Sequence, residues 1–216
     1  MCAAAIMASD HAEPNMDLVS GLIRAGQRFD ARGWVLGTSG NFSAVVSRDP
    51  LRVAITRSGS HKGELTPDDI LELDNTGALV TGKGAPSAET RLHLELVARR
   101  QAGAVLHTHS VWSTFLSGQL PGGFEIEGYE MLKGLAGVKT HEHREWIPVV
   151  ENDQDMDRLS MAVHRMLDEH PHCHGFLLRR HGLYTWGETL PEAIRHVEIL
   201  EFLLESVGRA RYSAPI

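Results

Sequence analysis

Two histidines two residues apart, His107 and His109, follow directly on the apolar run Ala104-Val105-Leu106. In an extended strand residues i and i+2 project from one face, so the pair can ligate a single metal ion. Imidazole suits Zn²⁺, and a catalytic zinc takes three protein ligands and keeps one position open. A third ligand is therefore required. The candidate is His181, at the end of the run Gly175-Phe176-Leu177-Leu178-Arg179-Arg180-His181-Gly182. With 13 histidines in the chain, other pairs compete for the same reading. His141-Glu142-His143 sits among charged residues with no strand leading into it and reads as solvated. His170, His172 and His174 surround Pro171 and Cys173 between a helical pattern and a strand pattern, which suits a turn rather than a metal site. Only His107 and His109 lie where a strand runs into a polar loop, the place where α/β folds put their chemistry.

Two small-residue loops also fall at strand ends, Gly37-Thr38-Ser39-Gly40-Asn41 and Arg57-Ser58-Gly59-Ser60. Such loops expose backbone N–H groups and hydroxyls that together make a concave anion site. Ser87, read as the cap of a helix opened by Pro86-Ser87-Ala88-Glu89, adds donors and the positive end of a helix dipole. Singly, each stretch is an ordinary turn; together, beside a candidate metal site, they describe a phosphate pocket. None matches a Walker or dinucleotide-binding pattern. Glu89, in the first turn of that helix, is open to three readings: dipole compensation, metal ligation or general-base work.

The elements that must position these groups follow from periodicity. Amphipathic helices are expected over Met16–Arg32, from Ser87 to about Arg100, over Val111–Leu116, Asp155–Glu169 and Pro191–Gly208. Thr66-Pro67-Asp68-Asp69 reads as another helix start. Strands are expected at Phe42–Val46, Arg52–Thr56, the His107 segment, Ile147–Val150, Phe176–Arg179 and Leu183–Trp186. A hairpin around Asn75-Thr76-Gly77 joins Ile70–Asp74 to Ala78–Val80, and Phe124–Leu132 is ambiguous between helix and strand. Short strands interrupted irregularly by helices favour an α/β fold with a mixed or antiparallel sheet and helices on its faces. Residues 1–15 read as a disordered lead-in and 16–216 as one domain, a size that supports a substantial core.

Composition excludes several classes. A net charge of −7 argues against non-specific nucleic-acid or anionic-membrane binding. The two cysteines, Cys2 and Cys173, are no disulfide framework and point to a reducing cytoplasm. The small apolar stretch Met1–Met7 lacks the basic region of a signal peptide, and no apolar run reaches membrane-spanning length.

The order and spacing of Thr38-Ser39-Gly40-Asn41-Phe42-Ser43, Ser58-Gly59, Pro86-Ser87-Ala88-Glu89, His107-Thr108-His109 and Arg180-His181-Gly182 resemble the class II (zinc) aldolase/adducin-head family, from about residue 16 onward. Three longer strings, Tyr129–Gly134, Ile147–Asn152 and His181–Glu188, are similar to the branch of that family that dehydrates a phosphorylated methylthio ketose in methionine salvage. The resemblance implies a three-layer α/β/α fold with a central, mostly antiparallel sheet, and a tetramer with sites near subunit interfaces. It implies His107, His109 and His181 as ligands of one Zn²⁺ per subunit, and Glu89 as a ligand or proton carrier. Asn41, Ser58, Gly59 and Ser87 would hold the substrate phosphate, with Ala88 standing where the sugar-phosphate aldolases have a second serine. Glu130 matches the acid/base of the dehydratase branch. Phe42, Trp112, Phe115 and Met131 are candidates for the methylthio pocket. An aldolase or 4-epimerase acting on a sugar phosphate, and a non-catalytic binding module, are the alternatives.

Overall fold

The computed structural model describes residues 16–212; the expected lead-in and Cys2 lie outside them. In chain order the elements begin with helix α1 (Met16–Asp30) and strands β1 (Asn41–Arg48), β2 (Leu51–Thr56), β3 (Ile70–Asp74) and β4 (Leu79–Thr81). Helix α2 (Thr90–Arg100), strand β5 (Ala104–Thr108), helix α3 (Val111–Gln119) and strands β6 (Gly122–Ile126) and β7 (Glu145–Val150) follow. Helix α4 (Met156–Glu169), strands β8 (Gly175–Leu178) and β9 (Gly182–Gly187) and helix α5 (Leu190–Tyr212) complete the described chain.

All nine strands form one sheet in the order β4-β3-β2-β1-β5-β9-β8-β7-β6. Every pairing is antiparallel except β7 with β8. Helices cover both faces, which is why β5 reads as an unbroken apolar run rather than an alternating one. On one face Leu92 and Leu96 of α2 and Leu159 and Val163 of α4 pack over Val105, Phe176, Tyr184 and Trp186. On the other, α1, α3 and α5 cover Phe42, Leu106, Leu177 and Leu183. Strand alternation therefore turns His107 toward the α2 side with Val105, and Thr108 toward α5. The three-layer α/β/α architecture with a mostly antiparallel sheet is the expected one.

Local differences have local causes. Thr66 caps the expected helix start, but it is only one 3₁₀ turn, Pro67–Asp69, closed by a Thr66/Asp69 capping box, and β3 begins at once. The ambiguous Phe124–Leu132 stretch splits into β6 and a 3₁₀ turn at Glu130–Gly134, separated at Gly128 by a left-handed backbone. Helix α2 starts at Thr90 with Glu89 at its N-cap position, so Ser87 is not the cap; its hydroxyl instead accepts the Glu89 N–H within the preceding turn.

Candidate metal centre and phosphate cavity

Strand β5 lies between β1 and β9, and its register sets His107 opposite Asn41 on one side and Tyr184 on the other. The Tyr184 ring stacks on His107 at 4.0 Å, fixing the imidazole plane. His107 Nδ1–H donates to the Leu183 carbonyl (2.9 Å), which leaves the Nε2 lone pair facing outward. At His109 the backbone leaves the sheet, its N–H donating to Trp34 O (2.7 Å). His181 enters from the β8–β9 turn, where Arg180 adopts a left-handed conformation (φ 54°). Gly182 allows β9 to close on β5: a Cβ there would stand 2.0 Å from Thr108 O.

The three imidazoles converge. His107 Nε2 lies 2.8 Å from His109 Nε2 and 3.3 Å from His181 Nε2. Burial, then the neighbouring His109 and His181 rings, hold His107 well below the usual imidazole range. Burial, then His181 and Lys62, lower His109 to about 4. Neutral rings are the form a metal needs. The Glu89 carboxylate approaches from the α2 side, with one oxygen 3.5 Å from His107 Nε2 and the other 3.5 Å from His181 Nε2. Three lone pairs and a carboxylate around one point form a donor set that a divalent cation satisfies and that no donor within the cluster does.

A buried relay orients Glu89. Asn41 Nδ2 donates to Glu89 Oε2 (2.6 Å), Asn41 Oδ1 accepts from His93 Nε2, and His93 Nδ1 accepts from the Ser43 hydroxyl (2.7 Å). Burial lowers His93 to about 3 and keeps its ring neutral, as this pattern requires. Asn41 is thus committed to holding Glu89, with its second amide N–H left over for a ligand. His93 has no signal as a lone histidine on an apolar helix face, but its i,i+4 spacing from Glu89 does place the two on one side of α2.

Glu89, His109 and His181 floor a cavity of about 290 Å³ rimmed by Thr38–Asn41, Arg57–Gly59, Ser87, Ala88 and the Asn152–Gln154 turn with Met156, with the fully buried His107 behind them. The sequence-predicted Asn41, Ser58, Gly59, Ser87 and Glu89 all line it with His109 and His181. Backbone pairing brings the rim together: Arg57 bridges to Pro86, and Ser58 N–H donates to Ala85 O. Lys62 is the group sequence reasoning passed over. Its side chain is 1 % exposed, and Nζ donates to Thr38 O (2.9 Å) and Ser60 O (2.6 Å), tying the two small-residue loops to each other. Burial lowers it to about 8 against the pull of Asp69, so it stays a cation at neutral pH. Ser39 Oγ is buried without a partner. A lysine and an unpaired hydroxyl suit a phosphate.

Other expected residues lie elsewhere. Glu130 is 70 % exposed at the start of its 3₁₀ turn, paired with Lys133, and does not line this cavity. None of the four methylthio candidates lines it either. Phe42 is core beneath α1, Trp112 lies against Gly208, Phe115 meets the Tyr212 ring at 5.1 Å, and Met131 is on the Glu130 turn. A larger cleft of about 860 Å³ between α1, β1 and the start of α5 has Arg24, Arg28 and Arg48 in its lining, but no group of metal-ligating side chains among the described residues.

Comparison with known proteins follows the same lines. The family described as class II aldolase and adducin N-terminal domain matches residues 20–207. A Methylococcus capsulatus protein named methylthioribulose-1-phosphate dehydratase is 48 % identical over 85 % of this chain and 89 % of its own length. A Pseudomonas fluorescens protein of the same name is 46 % identical over 90 % and 93 %. Among solved structures, L-fuculose-1-phosphate aldolase from Thermus thermophilus superposes with a TM-score of 0.72 at 26 % identity, covering 91 % of this chain and 96 % of that one.

Proposed function

Because this chain belongs to the class II aldolase and adducin N-terminal domain family, we propose that it is a hydro-lyase of methionine salvage, converting 5-methylthioribulose 1-phosphate to 2,3-diketo-5-methylthiopentyl 1-phosphate. The observation that carries the proposal is the convergence of three imidazoles and Glu89 beside a cavity whose rim is built for a phosphate. The names of the relatives supply the substrate.

In this reading His107, His109 and His181 hold one Zn²⁺. When bound, the ion supplies Lewis-acid chemistry, drawing electron density from oxygens of the substrate so that the neighbouring C–H becomes acidic. Ser58, Gly59, Ser87 and the free Asn41 N–H hold the phosphate, and Lys62 and Arg57 balance its charge. Met156, an apolar side chain in the lining, replaces the earlier candidates as the neighbour of the methylthio group. A carboxylate takes the C3 proton and an acid protonates the departing C4 hydroxyl, so the C–O bond breaks as the C3–C4 double bond forms and water leaves. The resulting enol becomes the second ketone. Glu130 is assigned this acid/base work and Glu89 is the second candidate. Since Glu130 stands outside the cavity of its own chain, it acts in the site of an adjacent subunit of a tetramer. The enzyme works in the cytoplasm; among the described residues no helix is long and apolar enough to cross a membrane.

The decisive assay incubates the zinc-loaded protein with the methylthio sugar phosphate and analyses products by mass. Loss of one water supports the dehydratase. Carbon–carbon cleavage or C4 inversion of sugar phosphates, with no water loss, replaces it with the aldolase or epimerase reading.

A further inference from the structure

A second histidine cluster lies away from the cavity, where the start of β7 meets the start of β8. Glu145 opens β7 with its side chain 1 % exposed, and its ion-pair partners among the described residues are both histidines. Its Oε2 lies 2.8 Å from His143 Nε2 and 2.9 Å from His174 Nδ1. Its Oε1 accepts the His174 backbone N–H at 2.8 Å, which fixes the carboxylate. Three potential ligand atoms from three residues thus crowd one point, as the ring nitrogens do on the cavity floor.

The outer contacts match as well. His174 Nε2 lies 2.8 Å from Ala136 O, so a ring proton belongs there. Against burial, Glu145 and this carbonyl raise the ring above the usual imidazole range, and a cation would take the place of the second proton, the one Nδ1 shares with Glu145. His107 likewise gives its outer ring N–H to a backbone carbonyl, that of Leu183. Ligating histidines characteristically give their second N–H to a backbone carbonyl in this way, which sets tautomer and ring orientation. Two imidazoles and a carboxylate are a donor set for zinc and its neighbours. The site is reachable: His143 is about a third exposed, and an adjoining surface cavity of about 230 Å³ has His170 and His172 in its lining.

We propose that His143, Glu145 and His174 form a second divalent-cation site, of zinc's class, independent of the cavity. Its place in the fold gives it a structural role. Ala136 follows the Glu130 turn; its N–H donates to His196 Nε2 of α5 (3.0 Å) and its carbonyl faces His174. A cation here staples the 136–145 segment, and with it the turn carrying Glu130, to β8.

The test is metal stoichiometry on the untagged, full-length protein, stripped by chelation and titrated with Zn²⁺ alone. Two equivalents per chain are expected for the wild type. One is expected for His143→Ala and one for His107→Ala, with none for the double variant. His143 is exposed enough that its loss leaves the fold intact, which thermal unfolding checks. Co²⁺ in the His107→Ala background reports the second site by its own visible absorption, which Glu145→Gln removes. A wild type holding one equivalent, or a His143→Ala protein binding as much zinc as the wild type, overturns the proposal and leaves a hydrogen-bonded Glu–His pair.

Discussion

The two histidine clusters are alike in parts and unlike in setting. On the cavity floor three imidazoles face one another, and the carboxylate of Glu89 is held aside by Asn41. At the second cluster the carboxylate of Glu145 is central and the two imidazoles face it. The first opens on small-residue loops and a buried lysine; the second opens on surface pockets among further histidines. What separates the two is not the room beside them, about 290 Å³ against 230 and 430 Å³, but the loops of hydroxyls and backbone N–H groups that rim the first.

The largest effect should come from the cavity side. His107→Ala is expected to lower turnover by at least about 10³-fold, the upper range for removing one electrostatic stabiliser, with the cavity zinc lost as well. A variant that keeps zinc and rate there would dissolve the distinction between the clusters. Glu130→Gln should keep the zinc and lose about 10²- to 10⁴-fold in rate. Mixed assemblies of Glu130→Gln with His107→Ala should regain activity, because only a site shared between subunits can combine one intact residue from each chain. If the mixture stays inactive, Glu130 is not supplied across a subunit boundary.

At the second cluster the expected loss is stability. His174→Ala takes from the buried Glu145 one of the three groups that hold it, at a cost of about 3–5 kcal/mol, which thermal unfolding should report as a fall of roughly 6–20 °C. Another pair of carboxylates extends the comparison. Glu145 and Glu201 are equally buried, yet burial is outweighed for Glu145 by its histidines, which lower it. For Glu201, burial wins over the Thr108 and Ser110 hydroxyls and raises it to about 7. Glu201 lies under β5, accepting from Thr108 Oγ1 at 2.6 Å. Its folded value exceeds its ordinary 4.5. The native state therefore binds more protons between about 4.5 and 7, and stability falls as pH rises through that window. Glu201→Gln should remove this slope, gaining on the order of 2–3 kcal/mol above pH 7 and nothing below 4.5; denaturant unfolding at several pH values checks it. The smallest effect is on affinity: Lys62→Met should raise KM by about 10- to 100-fold, the worth of one charge-assisted hydrogen bond, with kcat little changed. An unaltered KM would take Lys62 out of phosphate binding.

Much of the cavity was legible because its residues sit in local patterns. Strand alternation put His107 and His109 on one face, and the loops at 37–41 and 57–60 announced themselves by glycines and hydroxyls. Lys62 and His93 were not legible. One looks like a surface charge in a polar stretch and the other like a core histidine, and each gains its role from a loop or strand more than 20 residues away. His143 read as solvated and His174 as part of a turn for the same reason, since Glu145 and His174 meet only when β7 and β8 pair. Ser87 looked like a helix cap, yet the bridge between Arg57 and Pro86 draws it into the rim instead.

By itself the sequence determined the parts: an apolar strand ending in two histidines, three turns rich in small and hydroxyl residues, an acid near a helix start, and helices that cover a sheet. Those features depend on periodicity and backbone preference, which act over a few neighbouring residues. Only the tertiary structure decided which groups share a point in space. His181 joins His107 because β9 pairs antiparallel with β5 and Gly182 lets the backbones close. Glu130 stands clear of its own chain's cavity for a matching reason: its turn packs beside α5, and no local pattern specifies that long-range placement.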